Sequence, residues 1–442
     1  MDRMAVGREA YFTNDLLFSA RSAWVSVLAF SLSVPLVEVS RFNSRHCSTE
    51  MKRALILLLS FILLAVVMVV VALKVPVPLA INSDFQVLYY TTQGLLRGID
   101  VYDQAAKIQM ISERFGTPLE INFIPQFAYP PWFALSTFYL GLFSIRSAAV
   151  LWFETNLLML FLSVWFLTDG WKPLYRLLAF PAALIFYPVL GMLAIGQYDF
   201  PILLGASMLV YSIKHRQPVL TALGLSLLTF KPHLGGLVLI AGLLHLFLRR
   251  DEFGRRALQY TIGAGVFLFV VGFLADSAWP LNYLGSLLNY RGLGHITTCS
   301  ECVNISVWLA RGLSGESSLS QAGAIAGLLL IASVAAFVSI RPRLWRSPTL
   351  LLASALMVTV FASPYLYNYD FILLLLTFAV LADSKNLTER IVVFLCYLAP
   401  TFVLVAYGRA GNIILLAVTI VITLLLYLRA RRAGIDVPAH AA

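Results

Sequence analysis

The sequence predicts an all-α polytopic membrane protein with about twelve transmembrane helices and a long first outer loop that carries short membrane-embedded helices. Three observations lead there. The 442 residues are 60% hydrophobic and only 12% charged, against about 25% charged in ordinary soluble domains. The mean hydropathy is +0.84, and the apolar residues come in runs separated by short polar breaks. Finally, the net charge of +10 is carried by lysines and arginines in those breaks. That is the pattern of a chain held with its basic loops inside, and it excludes a nucleic-acid-binding surface.

Residues 1–50 fit this pattern poorly. Their one apolar stretch, roughly 23–39, is interrupted by Pro35 and ended by Glu38. Met51-Lys52-Arg53 followed by Ala54–Leu73 instead has the form of a membrane protein's start, a basic end and then enough apolar residues to span hydrocarbon. The reading takes 1–50 as a dispensable extension, with an additional anchor helix as the alternative, 51–432 as the transmembrane domain and 433–442 as a cytoplasmic tail. The first span, 54–74, sends residues 75–146 outside. Within that outer segment Pro130-Pro131 and the apolar run to Phe143 are too short to cross, and predict a helix lying in the outer leaflet. Further spans are expected at 147–168, 174–194, 200–213, 217–230, 233–248, 257–275, 321–340, 348–362, 366–382, 390–407 and 411–428. The shorter of these are expected to be kinked or tilted. This topology leaves 18 Lys and Arg inside and 9 outside after Met51, although the outer loops are longer.

The orientation gathers the unusual polar clusters on one side, the outside. They are Ser83-Asp84, Tyr129-Pro130-Pro131, Gly196-Gln197-Tyr198-Asp199, Lys231-Pro232-His233, the loop 276–320, and Ser363 to Asp370. Most are Gly- and Pro-rich breaks at the ends of apolar runs, where unwound backbone is tolerated only against protein or a water-filled cavity. One outward-facing cavity collecting them is expected.

Asp84-Phe85 with Tyr89 or Tyr90, Gly98-x-Asp100-x-Tyr102-Asp103 and Tyr129-Pro130-Pro131-x-Phe133-Ala134-Leu135 stand in order along the chain. Gly196-Gln197, Lys231-Pro232, Asn304-x-Ser306, Ser363-Pro364 and Tyr369-Asp370 follow. As an ordered set they resemble glycosyltransferase family 87, the polyprenyl-phosphate-mannose-dependent mannosyltransferases of the GT-C class. The likeness covers roughly 51–430. Two positions depart from it: Asp199 stands where the family often has Asn, and Tyr365 where a His commonly follows Ser-Pro. The resemblance implies a GT-C-like fold and an acidic catalytic base in the first outer loop. It also implies a polyprenyl-phosphate sugar donor, mannose by the family's habit, and a glycolipid or glycan acceptor. The implied place is the plasma (inner) membrane, with the site on the extracytoplasmic face. No cofactor or metal is expected, and neither is nucleic acid.

The residues support that chemistry independently. Sugar transfer from a lipid phosphate needs an acceptor hydroxyl made nucleophilic, and a positioned carboxylate takes its proton. Asp84, at the outer mouth of the first span, is the candidate base; the competing reading is that it only caps the helix that follows. Asp100 and Asp103 flank a Gly turn and are read as structural before sugar-binding. Lys231 is the candidate phosphate ligand, with a snorkelling lysine as the competing reading, and His233 is a second donor. Gln197 and Asp199 are candidate sugar contacts or supports, as is Tyr129. Tyr365, Asn368 and Asp370 belong to an aromatic-polar cluster suited to a sugar face, and Arg291 is a further phosphate candidate. Cys299 and Cys302 share one loop, read as a disulfide or free thiols in preference to a metal site. A carrier or flippase of lipid-linked sugars is the alternative from another class. Such carriers are often built of repeats, and no second copy of the Asp-Phe or Tyr-Pro-Pro motif occurs.

Overall fold

Prolines punctuate the fold. Helices α3 (Pro131–Ser136), α5 (Pro173–Ile185), α6 (Tyr187–Ile195), α7 (Phe200–Lys214), α8 (Pro218–Leu228), α9 (Pro232–Leu248) and α14 (Pro348–Ala362) each carry Pro in the first turn. There its missing N–H is not needed and its fixed φ favours the helix. The computed structural model describes residues 59–60, 62–66, 84–121, 123–288, 305–314, 319–339, 347–363, 366–382, 384–404 and 409–432. The described residues from Ser60 onward belong to one compact unit, and no strand occurs among the described residues. The early stretch 1–50 and most of the expected first span, like Arg291, Tyr365, Cys299 and Cys302, lie outside the described residues.

The segment before the first long helix comes first in the chain. Helix α1 (Phe85–Leu95) is buried along most of its length. Helix α2 (Gln104–Phe115) starts at Asp103, whose carboxylate accepts the Ala106 N–H at 2.9 Å, and stops at Gly116 in the left-handed region, φ 67°. The structural reading of Asp103 therefore holds. Helix α3 and a 3₁₀ turn at Phe138–Leu142 follow, both too short to cross a bilayer. Helix α4 (Ile145–Leu167) is capped by Ser144 and is long and apolar enough to span.

Most of the remaining helices overlap the expected spans, whereas two, Trp279–Leu288 and Ile305–Ser314, fall within the expected outer loop 276–320. The segment 174–194 is bent by 59° between α5 and α6, where Phe186 and Pro188 interrupt it. Helix α7 is buried nearly throughout and packs against α8 at a close crossing. A Cβ on Gly205 would lie 2.7 Å from the Gly224 carbonyl oxygen, and one on Gly224 would lie 2.8 Å from that of Gly205. Helices α10 (Glu252–Gly272), α11 (Trp279–Leu288), α12 (Ile305–Ser314) and α13 (Leu319–Ser339) follow, then α14. A 3₁₀ turn at Asn368–Leu373 leads into α15 (Leu374–Ala382). The expected span 390–407 divides into α16 (Leu387–Leu398) and a 3₁₀ turn at Ala399–Leu404, and α17 (Arg409–Arg432) is the last described helix.

Among the described residues three helices are long and apolar enough to cross a membrane, four with the bent pair counted as one span, and five shorter apolar helices accompany them. Large apolar side chains remain exposed along these helices, Ile331 at 67% and Phe247 at 72% among them. Contiguous exposure of this kind marks a surface made for lipid.

Two buried clusters build the interior. One is the helical core, with Leu203, Met357, Phe371 and Leu376 at its centre. The other lies in the outer segment, where Phe85, Tyr89, Phe133, Trp152 and Tyr198 pack together. Met159 and Phe230 touch both clusters. Trp132 Nε1 donates to Thr229 Oγ1 at 2.9 Å, and Val101 N–H to the Ala275 carbonyl at 3.2 Å, so the outer segment is fastened over the ends of α8 and α10. The polar residues of interest collect under that fastening.

Candidate active site

Asp84 directly precedes α1, yet its side chain makes no cap hydrogen bond, and its backbone already has helical angles, φ −59° and ψ −24°. A capping carboxylate would turn back to the free N–H groups of its own helix. Instead Asp84 Oδ2 accepts a hydrogen bond from Gln197 Nε2, and the Asp84 carbonyl accepts the Tyr198 hydroxyl at 2.7 Å. The capping reading is excluded by this geometry. Burial pushes the Asp84 carboxyl above its ordinary value, since desolvation disfavours the charged form; the Gln197 hydrogen bond and the Lys231 charge oppose that, and Asp370 adds to it.

The turn that holds Asp84 depends on Gly196. Its φ is +67°, and a Cβ there would sit 2.8 Å from the Cβ of Phe85. A side chain is thus disfavoured both by conformation and by the close approach of the Phe85 side chain. Trp152 Nε1 donates to the Gly196 carbonyl at 2.8 Å, and Asn156 Nδ2 reaches the Gln197 carbonyl at 3.4 Å. Trp152 and Asn156 were not expected at the site. Asn156 left a signal, a polar side chain within an apolar span; Trp152 left none, because an apolar run admits tryptophan anywhere.

Two residues beyond Gln197, Asp199 enters the second half of the network. Lys231 is buried just before α9, and its Nζ donates to Asp199 Oδ1 at 2.5 Å and to Asp370 Oδ1 at 2.9 Å. The other oxygen of Asp370 accepts the Tyr367 N–H at 2.7 Å, which closes the 3₁₀ turn. Each of the three groups needs the others, because a single buried charge without partners costs several kcal/mol, on the order of 3–5 when one partner is removed. The snorkelling reading of Lys231 does not fit a side chain 4% exposed and bound to two carboxylates.

The two halves interlock. Gln197 Nε2 also donates to the Tyr369 hydroxyl at 3.0 Å, and Lys231 Nζ stands 5.7 Å from the centre of the same ring. Tyr367 stacks on Tyr369 with ring centres 5.2 Å apart. Gln197 and Asp199 thus pair with Tyr369 and Asp370 respectively, one through a carboxamide and the other through Lys231. Asn368 begins the same 3₁₀ turn and is partly buried.

Beside this network lies a cavity of about 450 Å³ between α9, α11, α13 and α14. Its walls are apolar, with Leu237, Ile240, Leu330 and Val358, while Tyr129, His233 and Ser363 supply polar groups. Tyr129 meets Tyr198 edge to face at 5.1 Å. The expected cluster of Asp84, Gln197, Asp199, Lys231 and Asp370 is therefore one site, with Tyr129 and His233 on the adjoining cavity. Among the described residues no group of three or more His, Cys, Asp or Glu is arranged to hold a metal ion.

The fold and the site define a helical membrane protein with a polar, carboxylate-rich centre set at the ends of its apolar helices. The chain belongs to glycosyltransferase family 87, whose profile matches residues 127–364, and it is a membrane glycosyltransferase. No curated protein and no solved structure matches it.

Proposed function

We propose that this glycosyltransferase is an inverting hexosyltransferase that uses a polyprenyl-phosphate sugar, mannose by the family resemblance, and glycosylates an extracytoplasmic glycolipid or glycan. It works in the plasma membrane, through about twelve spans counting the short and bent ones. Asp84 takes the proton from an acceptor hydroxyl as that oxygen bonds to the anomeric carbon. The bond from the anomeric carbon to the donor phosphate oxygen breaks, its electron pair stays on the phosphate, and polyprenyl phosphate leaves. One displacement on the face opposite the leaving group inverts the anomeric centre.

The observation that carries the reading is the aim of Asp84. Its carboxylate is turned away from its own helix and held, partly buried, by Gln197 within the field of the Lys231 charge. The apolar cavity with Tyr129 and His233 supports a donor with a hydrocarbon tail and a polar head. Lys231, held between Asp199 and Asp370, is assigned to orient the donor phosphate, with His233 and Arg291 as further contacts. Asn368 and Tyr365 are assigned to the sugar with the Tyr367-Tyr369 stack. Family membership weighs for transfer over the carriage of lipid-linked sugars.

The test is single-turnover transfer from radiolabelled polyprenyl-phosphate mannose to a membrane lipid extract. Asp84→Asn keeps size and hydrogen bonding but accepts no proton. It is expected to lose about 10²–10⁴-fold in rate at saturating substrates. A rate within about threefold of the parent would remove Asp84 from the mechanism.

A further inference from the structure

We infer that Gln197 is the positioning residue of the catalytic base: its carboxamide fixes one oxygen of the Asp84 carboxylate and leaves the other for the acceptor hydroxyl. This rests on the assignment of Asp84 above. Both polar atoms of the carboxamide face defined partners, through three hydrogen bonds. Nε2 donates to Asp84 Oδ2 and, at 3.0 Å, to the Tyr369 hydroxyl, while Oε1 accepts the Tyr198 N–H at 3.3 Å. The amide has one sensible orientation. Turned over, its oxygen would face a carboxylate and its NH₂ a backbone N–H, two repulsive contacts in place of two hydrogen bonds.

The side chain is 4% exposed and has little freedom to leave this position. Its backbone is fixed as well, with the N–H on the Met192 carbonyl at 3.2 Å and the carbonyl on Asn156. Three consecutive residues therefore grip Asp84: Gly196 passes against Phe85, Gln197 takes the carboxylate and Tyr198 takes the carbonyl. Among the described residues Gln197 is the single hydrogen-bond donor to that carboxylate. A base must stand within hydrogen-bond reach of the proton it abstracts, and misplacement by about 1 Å can cost 10²-fold in rate.

The same hydrogen bond has a second consequence. It favours the ionised carboxylate and so opposes the burial of Asp84. The other charged groups acting on Asp84 are Lys231 and Asp370 of the buried triad, while Tyr369 shares the Gln197 carboxamide and Tyr198 binds the Asp84 carbonyl.

The experiment reads Asp84 directly, by infrared titration of the protonated carboxyl band in the full chain, using Asp84→Asn to assign the band. In Gln197→Ala the midpoint is expected to rise by about one pH unit, because a donor to the ionised form is gone. Gln197→Glu is isosteric, and while protonated it still donates to Asp84; its midpoint is expected to rise further, since two facing carboxyls then share one proton. An Asp84 band at the parent's midpoint in both variants would overturn the inference, as would a midpoint that falls. If Gln197→Ala does not fold, Gln197→Glu decides alone. Transfer assays separate the two claims. Normal transfer by Asp84→Asn ends the base assignment, whereas an unshifted band in the Gln197 variants ends only the positioning role.

Discussion

At the scale of single residues the centre sets a carboxylate that must ionise against a surrounding that resists ionisation. Because burial holds the Asp84 proton more tightly, transfer should fail on acidification at a pH above the ordinary 3.8. The sign for folding is opposite. The native state binds this proton more tightly than the unfolded chain, so the contribution of Asp84 to stability is lost as pH rises through its folded pKa. Asp84→Asn should accordingly be no less stable than the parent at neutral pH, and thermal unfolding in detergent would show it. Lys231 behaves otherwise. Lys231→Ala leaves Asp199 and Asp370 buried without their cation, with an expected loss of about 3–5 kcal/mol. Combining it with Asp199→Asn and Asp370→Asn should recover much of that loss. Phosphate affinity is better read in the neutralised variant, where a weak signal cannot be blamed on unfolding.

At the scale of elements, the turn after α6 is the piece on which the site depends. Gly196→Ala introduces strain at φ +67° and a Cβ 2.8 Å from that of Phe85, together on the order of 1–3 kcal/mol. It should also lower transfer, since Gln197 and Tyr198 move with the turn. Gly263, in α10 with open space around its Cβ position, is the control; its Ala variant should gain about 0.5–1 kcal/mol. The outer helix α2 carries a different conflict. Lys107 is fully buried, donates to the Val101 carbonyl at 2.9 Å, and burial draws its ammonium down to about 7, only partly opposed by Asp103. Between about 7 and the ordinary 10.5 the unfolded chain binds this proton and the native chain does not, so stability rises with pH across that window. Lys107→Met should abolish that rise, which amounts to at most about 1.4 kcal/mol per pH unit. A parent whose unfolding temperature is flat from pH 7 to 9 would contradict the assignment.

At the scale of the whole molecule, the two ends differ in chemistry. The expected outer breaks at Asp84, Gly196–Asp199, Lys231 and Ser363–Asp370 converge on the carboxylate–lysine centre, whereas the expected inner loops carry clips of a different kind. Asp169 binds Lys214 at 2.6 Å and His215 at 2.8 Å, and Asp251 binds Arg249 and Arg216. Burial would raise the Asp169 carboxyl, but the hydrogen bonds from Lys214 and His215 hold it below its ordinary value. Orientation is open to a direct measurement. Cysteines placed at Asp100 or Gln109, both exposed on the outer segment, should react with an impermeant reagent in intact cells, and one at the exposed Arg255 should not. The reverse pattern would move the site to the cytoplasmic face.

Composition by itself determined the helical membrane class, because a chain this apolar has few ways to satisfy its backbone in lipid. Proline and glycine positions marked the helix starts and breaks nearly residue by residue, since their effects on φ and on the N–H are local. The order of polar breaks also placed Asp84, Gln197, Asp199, Lys231 and Asp370 on one side. What each of them binds was decided only by the tertiary structure. Lys231 read equally as a free phosphate ligand, and Asp84 as a helix cap, until residues more than a hundred positions away in sequence came beside them. Trp152, supporting the Gly196 turn from within an apolar helix, carried no local mark of its role. Hydrogen-bond partners and charge pairs depend on which helices pack together, and that follows from side-chain fit across the whole bundle, which no short stretch of sequence contains.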